Sequence, residues 1–119
     1  MTDNQALGRR GEQLAKQYLI SSGYRIIAGN YHCGHPELDL IAQDRHQLVF
    51  VEVKTRFQTA DSLAENPLAK WQTANLRRAI LDYCFEHRVN LEAARLDLIV
   101  ILVNRKTQRA ELKHYRDVF

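Results

Sequence analysis

Cysteine and proline are scarce in this chain, with two of each among 119 residues. Two isolated thiols, Cys33 and Cys84, cannot make the dense disulfide framework of a small secreted domain, so both are read as reduced. No apolar run approaches the roughly 18 residues that cross a bilayer, and the N-terminal stretch "MTDNQALGRRGEQLA" lacks the apolar middle of a signal peptide. A cytoplasmic protein is therefore expected. Repeats and low-complexity tracts are missing as well, which leaves residues 1–119 as one expected domain. What is present is an ordinary globular balance, 45% hydrophobic and 26% charged. Seventeen Lys and Arg against fourteen Asp and Glu give a formal charge of +3. That is compatible with a polyanionic partner and does not establish one.

From Leu7 to Ile20 the residues Leu7, Gly11, Leu14, Ala15, Tyr18 and Leu19 recur at three- and four-residue steps, which describes one face of a helix, and Gly23 is a natural stop. "YRIIAGNY" suggests a first strand and "HCGHP" a turn. "ELDLIAQ" and "QLVFVEVKT" follow as strands joined through Asp44, Arg45, His46 and Gln47, in a hairpin. The polar segment "RFQTADSLAENP" reads as a loop. "LAKWQTANLRRAILDYCFEH" has largely helical spacing of Leu68, Trp71, Leu76, Ala79, Ile80, Tyr83 and Cys84. "RLDLIVILVN" is a strand apolar on both faces, and "RAELKHYR" is an edge strand paired to it through the turn at Asn104 to Gln108. The order α-β-β-β-α-β-β, with strands that need cover on both faces, predicts an α/β three-layer sandwich with a mixed central sheet. The hairpin is antiparallel, and the crossover through the second helix makes the third and fourth strands parallel.

Within that sheet "LVFVEVKTR" holds two misplaced charges. Side chains alternate along a strand, so Glu52 and Lys54 share one face while Val51 and Val53 take the other. A hairpin turning about Arg45 and His46 sets Asp39 across from Glu52, with β-carbons about 5 Å apart. Two carboxylates so close repel unless a cation or a basic group neutralises them. Lys54 does part of this, and a divalent ion does more. Oxygen donors suit hard ions such as Mg²⁺ or Mn²⁺, and the reaction such a site favours is phosphodiester hydrolysis, with the lysine placing water or stabilising growing negative charge. The competing reading is a structural ion-pair cluster near a strand end.

Asp39, twelve intervening residues and then Glu52, Val53 and Lys54 resemble the PD-(D/E)XK nuclease superfamily. More closely, "GRRGEQLAKQYLISSGYRIIAGNY", "ELDLIAQDRHQLVFVEVKTR" and "RLDLIVI" resemble the YraN-like family of uncharacterised bacterial proteins, related in that superfamily to archaeal Holliday-junction resolvases. The resemblance implies a restriction-endonuclease-like fold, Asp39 and Glu52 as metal ligands, and Lys54 as the catalytic lysine. It adds Glu12 as a further acid that helps bind metal directly or through water; by residue pattern alone Glu12 is a solvated helix residue. Two departures are visible. His35-Pro36-Glu37 precedes Leu38 and Asp39 where the family has Gly-Glu, and Gln72 falls where it has a lysine, which leaves Gln72 as an accessory residue beside Lys70. Resolvases of this fold work as dimers, so the resemblance also implies a homodimer.

Arg9, Arg10 and Lys16 on the first helix, Arg56, and Lys70, Arg77 and Arg78 on the second are candidates to line a phosphate-binding groove. Trp71 is a candidate to stack on a base, with core packing as the alternative. His32, Cys33 and His35, or Cys84 with His87, match no standard zinc spacing. Asp97 has only a structural reading. The sequence therefore points to a divalent-metal-dependent nuclease acting on DNA, with branched and single-stranded forms as candidate substrates. The alternative is a non-catalytic nucleic-acid-binding or adaptor module that keeps the nuclease fold.

Overall fold

A computed structural model describes residues 3–32, 37–59 and 74–118. Helix α1 (Asp3–Ser21) buries Leu7, Gly11, Ala15 and Leu19, one residue in every four, as the periodicity requires. The helix starts one turn earlier than its apolar pattern. Its first residues are exposed, and their backbone bonding needs no apolar signal. It ends at Gly23, whose φ is 94°. Gly23 N–H donates to Ile20 O at 3.0 Å and Tyr24 N–H to Leu19 O at 2.9 Å, the two bonds that close a helix through a left-handed residue.

Five strands follow in a single sheet of order β1-β2-β3-β4-β5: β1 (Arg25–His32), β2 (Glu37–Asp44), β3 (Gln47–Phe57), β4 (Ala94–Val103) and β5 (Ala110–Tyr115). Between β3 and β4 lie α2 (Ala74–Glu86) and a short 3₁₀ turn at Leu91–Ala93, which Asn90 caps by accepting from Glu92 N–H. The β3–β4 pair is parallel and every other neighbouring pair antiparallel, as the crossover and the hairpins predict.

Alternation along β2, β3 and β4 builds two cores. Leu40, Val51 and Ile99 face α1 with Ala15 and Leu19, while Ile41, Phe50 and Leu96 face α2 with Ala79, Ile80 and Tyr83. The helices thus cover opposite faces of a mixed five-stranded sheet, an α/β arrangement compatible with a three-layer sandwich.

The hairpin turn contains only Arg45 and His46, because Asp44 pairs with Gln47, and Arg45 takes the positive φ of 57°. Strand β3 runs past the boundary expected at Thr55. Arg56 and Phe57, which read as loop, pair with Leu102 and Val103, since the parallel apolar partner continues that far. The rest of that loop beyond Thr59 and the first part of the second predicted helix, with Lys70, Trp71 and Gln72, lie outside the described residues. So do Cys33, His35 and Pro36. Among the described residues no helix is long and apolar enough to cross a membrane.

Gly11 marks the closest approach of α1 to the sheet. A β-carbon there would stand 2.8 Å from Thr55 Cβ and 2.9 Å from its Cγ2, with Oγ1 nearer still. Gly11→Ala is therefore expected to cost about 1–3 kcal/mol through overpacking, despite alanine's better helix propensity. Urea unfolding would register this as a lower midpoint, whereas Gly8→Ala, with open space around it, should leave the midpoint unchanged or raise it.

Candidate functional site

The register of the central hairpin builds the site. Its paired residues run from Asp44 opposite Gln47 to Leu40 opposite Val51, and Asp39 and Glu52 are the next residues on each strand, where that pairing ends. There a side chain takes over from the backbone. Asp39 Oδ2 accepts the Val53 N–H at 2.9 Å, so the carboxylate is oriented by the neighbouring strand at the point where the main-chain ladder stops. Glu52 meanwhile remains paired on its other side with Leu98 of β4, and Lys54 with Val100, so both stand on the middle strand of the sheet.

Glu52 and Lys54, two residues apart on one face, form an ion pair of 3.2 Å between Oε1 and Nζ. The carboxylate side chain is 13% exposed and the lysine 39%. This explains how an apolar strand tolerates two charges without explaining why it carries them, because a pair whose ammonium is open to solvent adds only about 1 kcal/mol or less. Stability alone does not account for the arrangement.

Glu12 reaches the sheet from the other side. Its helix packs on the face of Val51 and Val53, opposite that of Glu52 and Lys54. With Leu7, Val53, Thr55, Arg56, Phe57 and Arg105, it lines a cleft of about 590 Å³. Val53, which lines this cleft with Glu12, is also the residue whose N–H Asp39 holds. Among the described residues no three His, Cys, Asp or Glu side chains are gathered into a group ready to hold a metal. Asp39 and Glu52 follow directly on the last paired step of the hairpin; Glu12 comes from the helix on the other face of the sheet.

The basic residues divide in the same way. Arg10 turns toward the β4–β5 turn, its Nη1 donating to Gln108 Oε1 at 3.0 Å and its Nη2 to Gln108 O at 2.5 Å. Arg56 is exposed and its Nη1 donates to Thr55 O at 2.9 Å, while Arg9 is exposed on α1. Arg77 and Arg78 are exposed on α2, so the sheet separates them from Arg9, Arg10 and Lys16. Gln72 and Lys70 fall outside the described residues. Cys84 is a free, buried thiol whose pKa burial raises, and the His87 ring stacks on Tyr83 at 4.0 Å between centroids.

A second polar cluster surrounds Asp97, which is fully buried on the α1 face of β4. Its Oδ1 accepts from Arg95 Nε at 2.9 Å and from Asp117 N–H at 3.0 Å. Its Oδ2 meets His114 Nε2 at 2.7 Å and Arg95 Nη2 at 3.1 Å. The network extends through His114 Nδ1 to the Tyr18 hydroxyl at 2.8 Å, and through Arg95 Nη2 to the Tyr24 hydroxyl at 2.6 Å. Burial pushes the Asp97 pKa up, but hydrogen bonds from His114, Arg95 and Asp117, with the Arg95 charge, outweigh it and hold the carboxyl below its ordinary value. The same carboxylate pushes Arg95 up. In the sequence the only signal for this cluster is an acid inside an apolar strand, with Arg95 two residues away and His114 on the predicted edge strand.

Fold and site together define an α/β domain in which Asp39 on β2 and the Glu52–Lys54 pair on β3 lie where the pairing of the central hairpin ends. From residue 11 to residue 101 the sequence matches the profile of the Uncharacterised protein family UPF0102, and the chain belongs to that family. It is similar to the UPF0102 protein of Arthrobacter sp. (strain FB24), 36% identical over 112 residues and 94% of each chain. It is also similar to those of Beutenbergia cavernae, 34% identical over 99% of each chain, and Herpetosiphon aurantiacus, 37% identical over 98% of this chain and 95% of the relative. This is the YraN-like family to which "GRRGE" and "LVFVEVKTR" point.

Proposed function

We propose that this protein is a divalent-metal-dependent endonuclease that hydrolyses DNA phosphodiester bonds. The observations that carry the reading are the Asp39 carboxylate held by the Val53 N–H at 2.9 Å, where the pairing of β2 with β3 ends, and Lys54 Nζ 3.2 Å from the Glu52 carboxylate. Two carboxylates and no nitrogen or sulfur donor suit Mg²⁺ or Mn²⁺, which keep several waters and take one or two protein carboxylates together with substrate phosphate. Asp39 and Glu52 would hold the ion, with Glu12 acting from the cleft side through water. Bound there, such an ion polarises the phosphoryl oxygen and makes a bound water more acidic.

The protein's own contribution is orientation and charge. The Val53 N–H fixes the Asp39 carboxylate, so no reorganisation is needed when a charged group arrives. Lys54 pairs with Glu52 and, at the more exposed end of the pair, offers its ammonium to the attacking water or to the charge that grows on the phosphoryl oxygens. Arg56 and Arg10 add backbone contacts that position the strand without reading sequence. Paired cuts on a four-way junction require two sites, so a homodimer belongs to the junction form of this reading.

The adaptor reading has one observation in its favour: among the described residues the acids are not gathered as a group of three. Labelled duplex, single-stranded, flap and four-way-junction DNAs incubated with Mg²⁺ or Mn²⁺ separate the two. Cleavage by the wild type that Asp39→Ala abolishes is the expected result. Binding without cleavage would leave the adaptor, and neither binding nor cleavage would overturn both.

A further inference from the structure

Six residues at the end of β4, Asn104 to Arg109, read "NRKTQR" and carry three cations with no acid. A run of this kind is ordinarily a solvated turn whose charges repel one another. Here the turn is pinned from several sides. Asn104 Oδ1 accepts from Lys106 N–H at 2.9 Å and Thr107 N–H at 3.1 Å, and Gln108 N–H donates to Asn104 O at 2.7 Å. Gln108 takes a φ of 59° and its side chain donates to Arg105 O at 2.8 Å. Arg10 of α1 grips Gln108 through both its side chain and its carbonyl. The turn is thereby fixed to the helix that carries Glu12.

Arg105 is positioned in turn. Its guanidinium lies 3.8 Å from the centroid of the Phe57 ring, a cation–π contact that holds the group without neutralising it. Among the described residues Arg105, Lys106 and Arg109 have no carboxylate partner within ion-pair distance. Arg105, Arg56 and Phe57 line, together with Glu12, the cleft of about 590 Å³. Phe57 is three residues beyond Lys54 on β3, about 10 Å along the strand and on its other face, so a backbone passing from Lys54 to Arg105 rounds the C-terminal end of β3.

From this juxtaposition we infer that the β4–β5 turn is a nucleic-acid backbone clamp. Arg105, with Lys106 and Arg109 beside it, engages phosphates of the strand that runs on from the Asp39–Glu52–Lys54 site. The inference rests on the nuclease reading for its choice of polyanion, and it assigns the contact to a rigid turn rather than to the exposed arginines of α2. A guanidinium held flat and unpaired binds a phosphate with little further ordering.

The test is binding, measured by fluorescence anisotropy with a labelled 30-nucleotide single strand and its duplex, in EDTA and across a salt series. Arg105→Ala is expected to weaken binding about tenfold at low salt and to lower the salt slope by about one. Combining it with Lys106→Ala and Arg109→Ala should lower the slope further, while Arg25→Ala, at the hairpin end of the sheet, should change neither quantity. Melting temperatures within a few degrees of wild type establish that the loss is local. Unchanged affinity and slope in the triple variant would overturn the clamp, as would a wild type that binds neither probe. Since metal is absent from this assay, the clamp and the nuclease reading fail separately: loss of binding without any cleavage in Mg²⁺ supports the clamp and removes the catalysis, and cleavage with undiminished binding by the triple variant does the reverse.

Discussion

Lys54→Met is expected to lower the rate of DNA cleavage by about 10²–10³-fold while leaving DNA binding within a few-fold of wild type. The direction follows from the pair it belongs to. Methionine preserves much of the length and packing of the side chain, so β3 keeps its place between β2 and β4, and the loss is confined to one ammonium 3.2 Å from Glu52. A group that acts on charge developing during the reaction shows its loss in kcat; one that merely attracts DNA shows it in KM. Single-turnover cleavage with saturating enzyme measures the first directly. A tenfold weaker KM with kcat unchanged would return Lys54 to the class of phosphate contacts. Unfolding in urea provides the control, since a pair whose ammonium is open to solvent adds about 1 kcal/mol or less and the midpoint should shift only slightly from that of the wild type.

The largest effect on stability is expected at Asp97. Asp97→Ala removes a buried carboxylate that holds Arg95, His114 and the Asp117 N–H together, leaving an arginine and a histidine side chain only 11% and 5% exposed without their common partner. Breaking a buried pair in this way costs about 3–5 kcal/mol, far more than an exposed one. The expected result is a melting temperature lower by about 10 °C or more, with DNA binding per folded molecule unchanged. The pH dependence has a definite sign. The folded pKa of Asp97 lies below its ordinary value of 3.8, so its stabilising contribution is complete above that value and is lost as pH falls through the lower, folded one. The stability gap between wild type and Asp97→Ala should therefore narrow in acid below about pH 4 and hold steady from about pH 5 to 7. A gap that widened in acid would contradict the ion-pair account.

The difference between these two clusters shows which parts of the molecule are legible in its sequence. Asp39 and Glu52 flank one hairpin, and a short polar turn between alternating strands fixes the register of its paired part, from Asp44 with Gln47 to Leu40 with Val51, by counting. The parallel pairing of β3 with β4 follows from the crossover helix in the same way. The face that α1 takes does not, because α1 precedes the sheet and belongs to no β-α-β unit whose handedness would place it. That is why Glu12 can be named as an acid and still not be assigned a side. Asp97 is harder still, since its partners come from the edge strand at His114 and from α1 through Tyr18, and no local spacing brings these together. The basic turn was visible as a turn, but its contact with Phe57 depended on β3 running two residues further than its polar end suggests.

The two-residue turn at Arg45 and His46 has a consequence for how this protein can vary. Side chains in a strand have a period of two, and the turn is the only counter that relates β2 to β3 from the loop side. Exchanging its residues alters little, but adding or removing one would, if the rest of β2 slipped to follow, carry Asp39 from the Glu52 face to the Val53 face and send Leu40 the other way. The acids would stay in the chain and the sheet would stay a sheet, yet the site would be dismantled by parity alone. Descent with length changes is thus free at the ends of this sheet and strictly policed at its innermost hairpin.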